Sequence, residues 1–118
     1  MSQMVSPLPE RVHGLYLAPS EWEIVGKILR KHVLGRRVWA FGSRATGMRL
    51  KRYSDLDLAV EGSLTLKEES GLADDFDESA LPMKVDVVGL EQVEVGFRER
   101  IVGDFVVVQA GGVGLKGG

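Results

Sequence analysis

Along residues 54–61, "SDLDLAVE", apolar and polar positions alternate: Leu56, Leu58 and Val60 fall on one side, and Asp55, Asp57 and Ala59 on the other. That period of two predicts a half-buried strand. A second strand is expected at "MKVDVVG", with Met83, Val85 and Val87 on one face and Lys84, Asp86 and Val88 on the other. The apolar run "RRVWAF", bounded by Gly35 and Gly42, reads as a buried strand, and "FVVVQ" as a fourth. Helical spacing appears in "PSEWEIVGKILRKHV", where Trp22, Val25, Ile28, Leu29 and Val33 trace one side. There Ser20 is the expected N-cap, and Glu23 would complete a capping box. A second helix is predicted over residues 66–80 from Leu66, Leu72, Ala73, Phe76 and Ala80, with Gly71 weakening it, and a short one over 94–102.

The order helix, strand, strand, helix, strand, short helix, strand predicts an α/β (α+β) domain with helices flanking a small mixed sheet. Residues 1–18, with Pro7, Pro9 and Gly14, read as an irregular N-terminal arm, 19–109 as the domain, and 110–118 as a flexible Gly-rich tail.

Composition changes this picture little. A chain of 118 residues, 44% hydrophobic and 27% charged, is the size of one globular domain. No run is long enough to cross a membrane and the N-terminus lacks signal-peptide features, so a cytoplasmic protein without membrane association is expected. The absence of cysteine excludes disulfides and thiolate metal sites, leaving oxygen or imidazole as metal ligands. Charge is segregated: residues 27–52 hold nine Lys/Arg and no acid, whereas 53–118 hold fourteen acids and five bases. Lys27, Arg30, Lys31, Arg36 and Arg37 read equally well as the wet face of a helix and its turn. Arg49, Lys51 and Arg52 lie beside a glycine-rich corner, where an anionic ligand would gain from them.

The chemistry concentrates in residues 38–62. "GSRATGMR" has the glycine spacing of a phosphate-binding P-loop, but Met48 and Arg49 stand where its Lys and Ser/Thr belong, and the dinucleotide fingerprint G-x-G-x-x-G is absent. What remains is a corner: Gly42 allows close approach of a ligand, and Ser43 offers a hydroxyl and an amide to a phosphate oxygen. Asp55 and Asp57, two apart on a strand, point the same way. They serve either as the wet face of an edge strand or as hard oxygen ligands for Mg or Mn. Asp86, isolated among valines, reads either as a capped or solvent-facing residue of an edge strand or as a carboxylate that is costly there unless paired or metal-bound, and desolvation with repulsion from Asp55 and Asp57 is expected to raise its pKa. Together the three aspartates, the corner and the basic loop fit a metal-dependent phosphoryl or nucleotidyl transfer site. His13 and His32 have no metal-ligand spacing, and Trp22 and Trp39 read as core aromatics.

With "FGSRATG", "SDLDLAV" and "LPMKVDVV" in this order, the chain resembles the nucleotidyltransferases of the DNA polymerase β superfamily. Within them it is similar to the minimal nucleotidyltransferase antitoxins that act beside HEPN-domain toxins. The resemblance covers residues 20–109 and implies the polymerase β type of nucleotidyltransferase fold. It implies that Gly42 and Ser43 hold the β and γ phosphates of ATP, that Arg44 contacts phosphate, and that Asp55, Asp57 and Asp86 are catalytic ligands of two Mg2+ ions. Asp86 would also help activate the attacking hydroxyl. The sequence departs from the pattern at Thr46, where many members carry a basic residue, and in a loop one residue longer between Ser43 and Asp55.

The implied activity is transfer of AMP to a tyrosine of a HEPN toxin within a hetero-oligomer, with no direct nucleic-acid binding. The alternative is a binding module that neutralises the toxin by occlusion. A small-molecule nucleotidyltransferase, such as those that inactivate aminoglycosides, would need an acceptor domain for which this domain has no room.

Overall fold

The computed structural model describes residues 11–12 and 14–111; most of the expected arm, His13 and most of the expected tail lie outside them. Strands β1 (Arg11–Val12) and β2 (Leu15–Tyr16) pair antiparallel across Gly14, whose φ of +82° suits a residue without a Cβ. Leu15 and Leu17 are fully buried, so the end of the expected irregular arm is part of the core.

Helix α1 (Pro19–Val33) begins before the expected Ser20 cap. Pro19 sits at the first helical position, where its missing N–H costs nothing, and the Glu21 carboxylate accepts the Ala18 N–H at 2.9 Å, the role expected of Glu23. Val25, Ile28, Leu29 and Val33 form its buried side. Strand β3 (Val38–Phe41), a single turn of helix α2 (Ser43–Thr46) and strand β4 (Leu56–Val60) follow. Helix α3 (Leu66–Glu78) opens on a reciprocal cap, in which Thr65 Oγ1 accepts the Glu68 N–H at 3.0 Å and Glu68 Oε1 accepts the Thr65 N–H at 2.9 Å. Leu66, expected on its apolar side, is instead 82% exposed at the first position, and Ala80 lies beyond its end. Strand β5 (Val85–Gly89), helix α4 (Val95–Ile101) and strand β6 (Val106–Gln109) complete the domain.

The sheet has the order β5-β4-β3-β6, with β4 and β5 parallel and the other pairs antiparallel. It is the mixed sheet that the sequence implies. A parallel pair needs a long crossover, and α3 supplies it. Register places Val38, Ala40, Leu56, Leu58, Val60, Val85 and Val87 on the face that packs against α1 and α3. Burying each large aliphatic side chain there contributes about 1.5–3 kcal/mol.

Between those two helices, Asp75 Oδ2 lies 2.7 Å from His32 Nε2 and 3.0 Å from Lys31 Nζ. The His32 ring explains Gly71, because a Cβ at that position would come within 2.5 Å of it. The opposite sheet face bears a smaller cluster of Phe41, Ala59 and Ile101, joined by Trp39, Phe97 and Phe105. Trp39 stacks on Phe105 with centroids 5.0 Å apart, and Phe97 meets Phe41 edge-on at 5.9 Å.

Candidate active site

The site stands on this second face, at the end of β3. Gly42 has φ +78° and ψ −158°, a conformation essentially restricted to glycine, and it turns the chain from β3 into α2. A Cβ on Gly42 would lie 2.7 Å from Asp57 Oδ2, so the absent side chain also leaves room for that carboxylate. The turn is closed by Thr46, whose hydroxyl donates to Gly42 O at 3.2 Å and accepts the Met48 N–H at 3.0 Å. Gly47, with φ +80°, then ends α2 by donating its N–H to Ser43 O at 2.7 Å.

Asp57 lies in register between Phe41 of β3 and Asp86 of β5, so the two carboxylates occupy adjacent positions on one sheet face. Asp55, exposed, immediately precedes β4. The structure therefore brings Gly42, Asp57 and Asp86 together, with Ser43 next to Gly42 on the same corner. Asp57 is half-buried, and its pKa is pushed up to about 6, first by burial, then by the charge of Asp86, then by that of Asp55. Sequence reasoning assigns the desolvated carboxylate to Asp86. In the fold β5 is an edge strand, the Asp86 side chain is 49% exposed with Lys84 Nζ 4.0 Å away, and the perturbed group is Asp57.

Arg44 departs from its expected role as a phosphate contact. Its side chain is fully buried, donating from Nε to Ser54 O at 3.0 Å, from Nη1 to Tyr16 O at 3.1 Å and from Nη2 to Arg52 O at 2.9 Å. Burial lowers its pKa, against the raising effect of Glu21. Arg44 is thus a clamp that ties the loop of residues 48–54 to β2 through three backbone carbonyls. The Tyr16 ring lies over Gly47, 2.9 Å from where a Cβ of that residue would stand. Nothing near Arg44 in sequence signals this, because Tyr16 is 28 residues away.

The clamped loop presents Arg49, Lys51, Arg52 and Tyr53 as exposed side chains, with the Arg52 guanidinium 5.9 Å from the centre of the Tyr53 ring. Arg49 adopts φ +57°, a left-handed conformation uncommon for a residue with a Cβ.

Among the described residues, no three His, Asp or Glu side chains converge tightly enough to cage a metal ion. Magnesium does not require such a cage, since it is commonly held by one or two carboxylates together with substrate phosphates and water. Hard oxygen donors at Asp55, Asp57 and Asp86, whose mutual repulsion helps to raise the Asp57 pKa, fit a divalent cation that would relieve that repulsion.

Residues 23–108 match the family model described as nucleotidyltransferase domain. A protein of Haemophilus influenzae described as probable protein adenylyltransferase MntA is 41% identical over 97 residues, which are 80% of this chain and 84% of that protein. A crystal structure described as a toxin-antitoxin with AMP-PNP matches with a TM-score of 0.61 and 25% identity, over 75% of this chain and 73% of its own. A second, of a mutant form of the toxin-antitoxin MntA-HpeT, matches with a TM-score of 0.60 and 23% identity over the same shares, which bears on the fold alone.

Proposed function

The chain belongs to the nucleotidyltransferase domain family and is a nucleotidyltransferase enzyme, and from that premise we propose that it is an antitoxin that transfers AMP from ATP to a tyrosine hydroxyl of a HEPN toxin. The observation that carries this reading is the register pair Asp57–Asp86 beside the Gly42 turn, which gathers carboxylates next to the glycine-serine corner. The relative named as a protein adenylyltransferase and the toxin-antitoxin neighbour with AMP-PNP support the nucleotide, the protein acceptor and a hetero-oligomeric setting.

Asp55, Asp57 and Asp86 would hold two Mg2+ ions, whose chemistry when bound is to offset charge on the phosphates and to acidify the attacking hydroxyl. The Ser43 hydroxyl and the backbone at Gly42 and Ser43 orient the β and γ phosphates. Asp86, on the exposed side of the pair, accepts the hydroxyl proton as the tyrosine oxygen bonds to the α-phosphorus. The bond from that phosphorus to the bridging oxygen breaks, and pyrophosphate leaves.

A second reading, neutralisation by occlusion, draws on one observation: with Arg44 committed to backbone carbonyls and Thr46 closing the turn, neither supplies a cation to the phosphate corner. Co-expression with the toxin at matched levels separates the two. Under the catalytic reading, Asp55→Asn/Asp57→Asn leaves cells unprotected. Protection equal to wild type would replace catalysis with occlusion.

A further inference from the structure

The site proposed above accounts for a nucleotide and metals and leaves the acceptor's position open; the edge of β5 has the geometry to hold it. Among the described residues β5 pairs only with β4, in parallel. The Leu56 N–H donates to Lys84 O at 2.9 Å, and with Leu56 in register with Val85 this fixes the bonding pattern. Residues 84, 86 and 88 turn their backbone groups toward β4, while Val85 and Val87 turn theirs outward. Among the described residues nothing hydrogen-bonds those outward groups.

Beside this edge runs a groove of about 400 Å³ between α3 and β5, with Leu72, Ala73, Val85 and Val87 along it and Glu69 and Asp86 as its charged members. Helix α3 carries six acids and one lysine, so the edge is rimmed by negative charge. The other open edge, β6, borders a groove against α1. It lies at the far end of the strand order from β5, so a strand added there brings nothing to Asp86.

We propose that the acceptor protein docks as an extended segment added to the outer edge of β5, with its hydroxyl-bearing residue beside Asp86 and Lys or Arg flanking it. The inference rests on the nucleotidyl-transfer reading above. A residue directly across a strand pair stands about 4.5–5.5 Å away between Cβ atoms, so a side chain on the Asp86 face of the added strand brings its hydroxyl to that carboxylate. Backbone hydrogen bonds to Val85 and Val87 would supply the affinity of strand addition. The next side chains, on the other face, would enter the apolar groove, and the acids of α3 would favour basic neighbours.

The test uses Val87→Pro. Proline at an outward-facing edge position removes the N–H that would bind the acceptor while sparing the ladder to β4. Val87→Ala removes the same side chain and keeps the N–H. The probe is the intact HEPN toxin proposed above as the acceptor, with ATP and Mg2+, and thermal stabilisation by ATP with Mn2+ reports a folded nucleotide site. The expected result is a loss of kcat/KM toward the toxin of about tenfold or more for Val87→Pro, with about threefold or less for Val87→Ala, and ATP-Mn2+ stabilisation kept in both.

Should Val87→Pro fail to fold, Glu69→Lys on the rim serves instead, with KM for the toxin raised and kcat unchanged. Equal transfer by Val87→Pro and Val87→Ala, or an unchanged KM for Glu69→Lys, overturns strand addition while leaving nucleotidyl transfer standing. Absence of transfer by the wild type removes both.

Discussion

The two faces of the sheet are built from the same strands and do opposite things. On one, alternate residues of β3, β4 and β5 are aliphatic and covered by α1 and α3. On the other, the intervening residues include Asp57 and Asp86, and α4 covers part of the face through a cluster in which its Phe97 and Ile101 join Phe41 and Phe105. Moving one residue along β4, from Leu58 to Asp57, passes from a fully buried side chain to a carboxylate with a raised pKa. The aliphatic core and the candidate catalytic carboxylates are thus separated by side-chain alternation. A change on one face should be readable without a matching change on the other.

The largest effect on the aliphatic face is expected from Leu58→Ala. Its cavity should cost about 2–5 kcal/mol, read as a lower denaturation midpoint, while the nucleotide affinity of the remaining folded protein stays near wild type. A comparable loss of nucleotide affinity would show that the faces are not separable.

Arg44→Met should come next, at about 2–3 kcal/mol, because it strands the Tyr16, Arg52 and Ser54 carbonyls. Hydrogen exchange should quicken in residues 48–54 and leave α1 and α3 slow. Uniform acceleration would deny the clamp.

Asp57→Asn should act in the opposite direction on stability. A carboxyl whose pKa is about 6 in the fold and 3.8 in the unfolded chain binds its proton more tightly when folded. It therefore costs stability progressively as pH rises from about 4 to 6, and the cost is complete above that. Without metal, Asp57→Asn should be more stable than wild type at pH 7, by on the order of 1–2 kcal/mol once solvent screening is allowed for, with the gain disappearing below pH 4. A variant less stable than wild type at pH 7 would make Asp57 a structural residue.

What the sequence made legible follows the same division. The strands at residues 38–41, 56–60 and 85–89 announce themselves because side-chain alternation is a local property, and the Gly42 corner is visible because φ above zero calls for glycine. The exposure of Asp86 is not legible because "VDVV" looks the same in an edge and a central strand, and strand order is set by the crossover through α3. The role of Arg44 is hidden for a related reason: its partner carbonyls come from β2 and from the 48–54 loop, and backbone acceptors leave no mark in the sequence. The start of α1 is not legible because Glu21, three residues after Ala18, caps through a backbone N–H that any residue but proline could supply.

The central claim is that the aspartate face transfers AMP to a protein hydroxyl, and intact-mass spectrometry of the toxin tests it most directly. After incubation with this chain, ATP and Mg2+, the toxin should gain the mass of one or more AMP units, mapped by fragmentation to tyrosine, and Asp57→Asn should abolish the gain although the variant remains folded. An unmodified toxin with wild type, or equal modification by wild type and Asp57→Asn, would contradict the account.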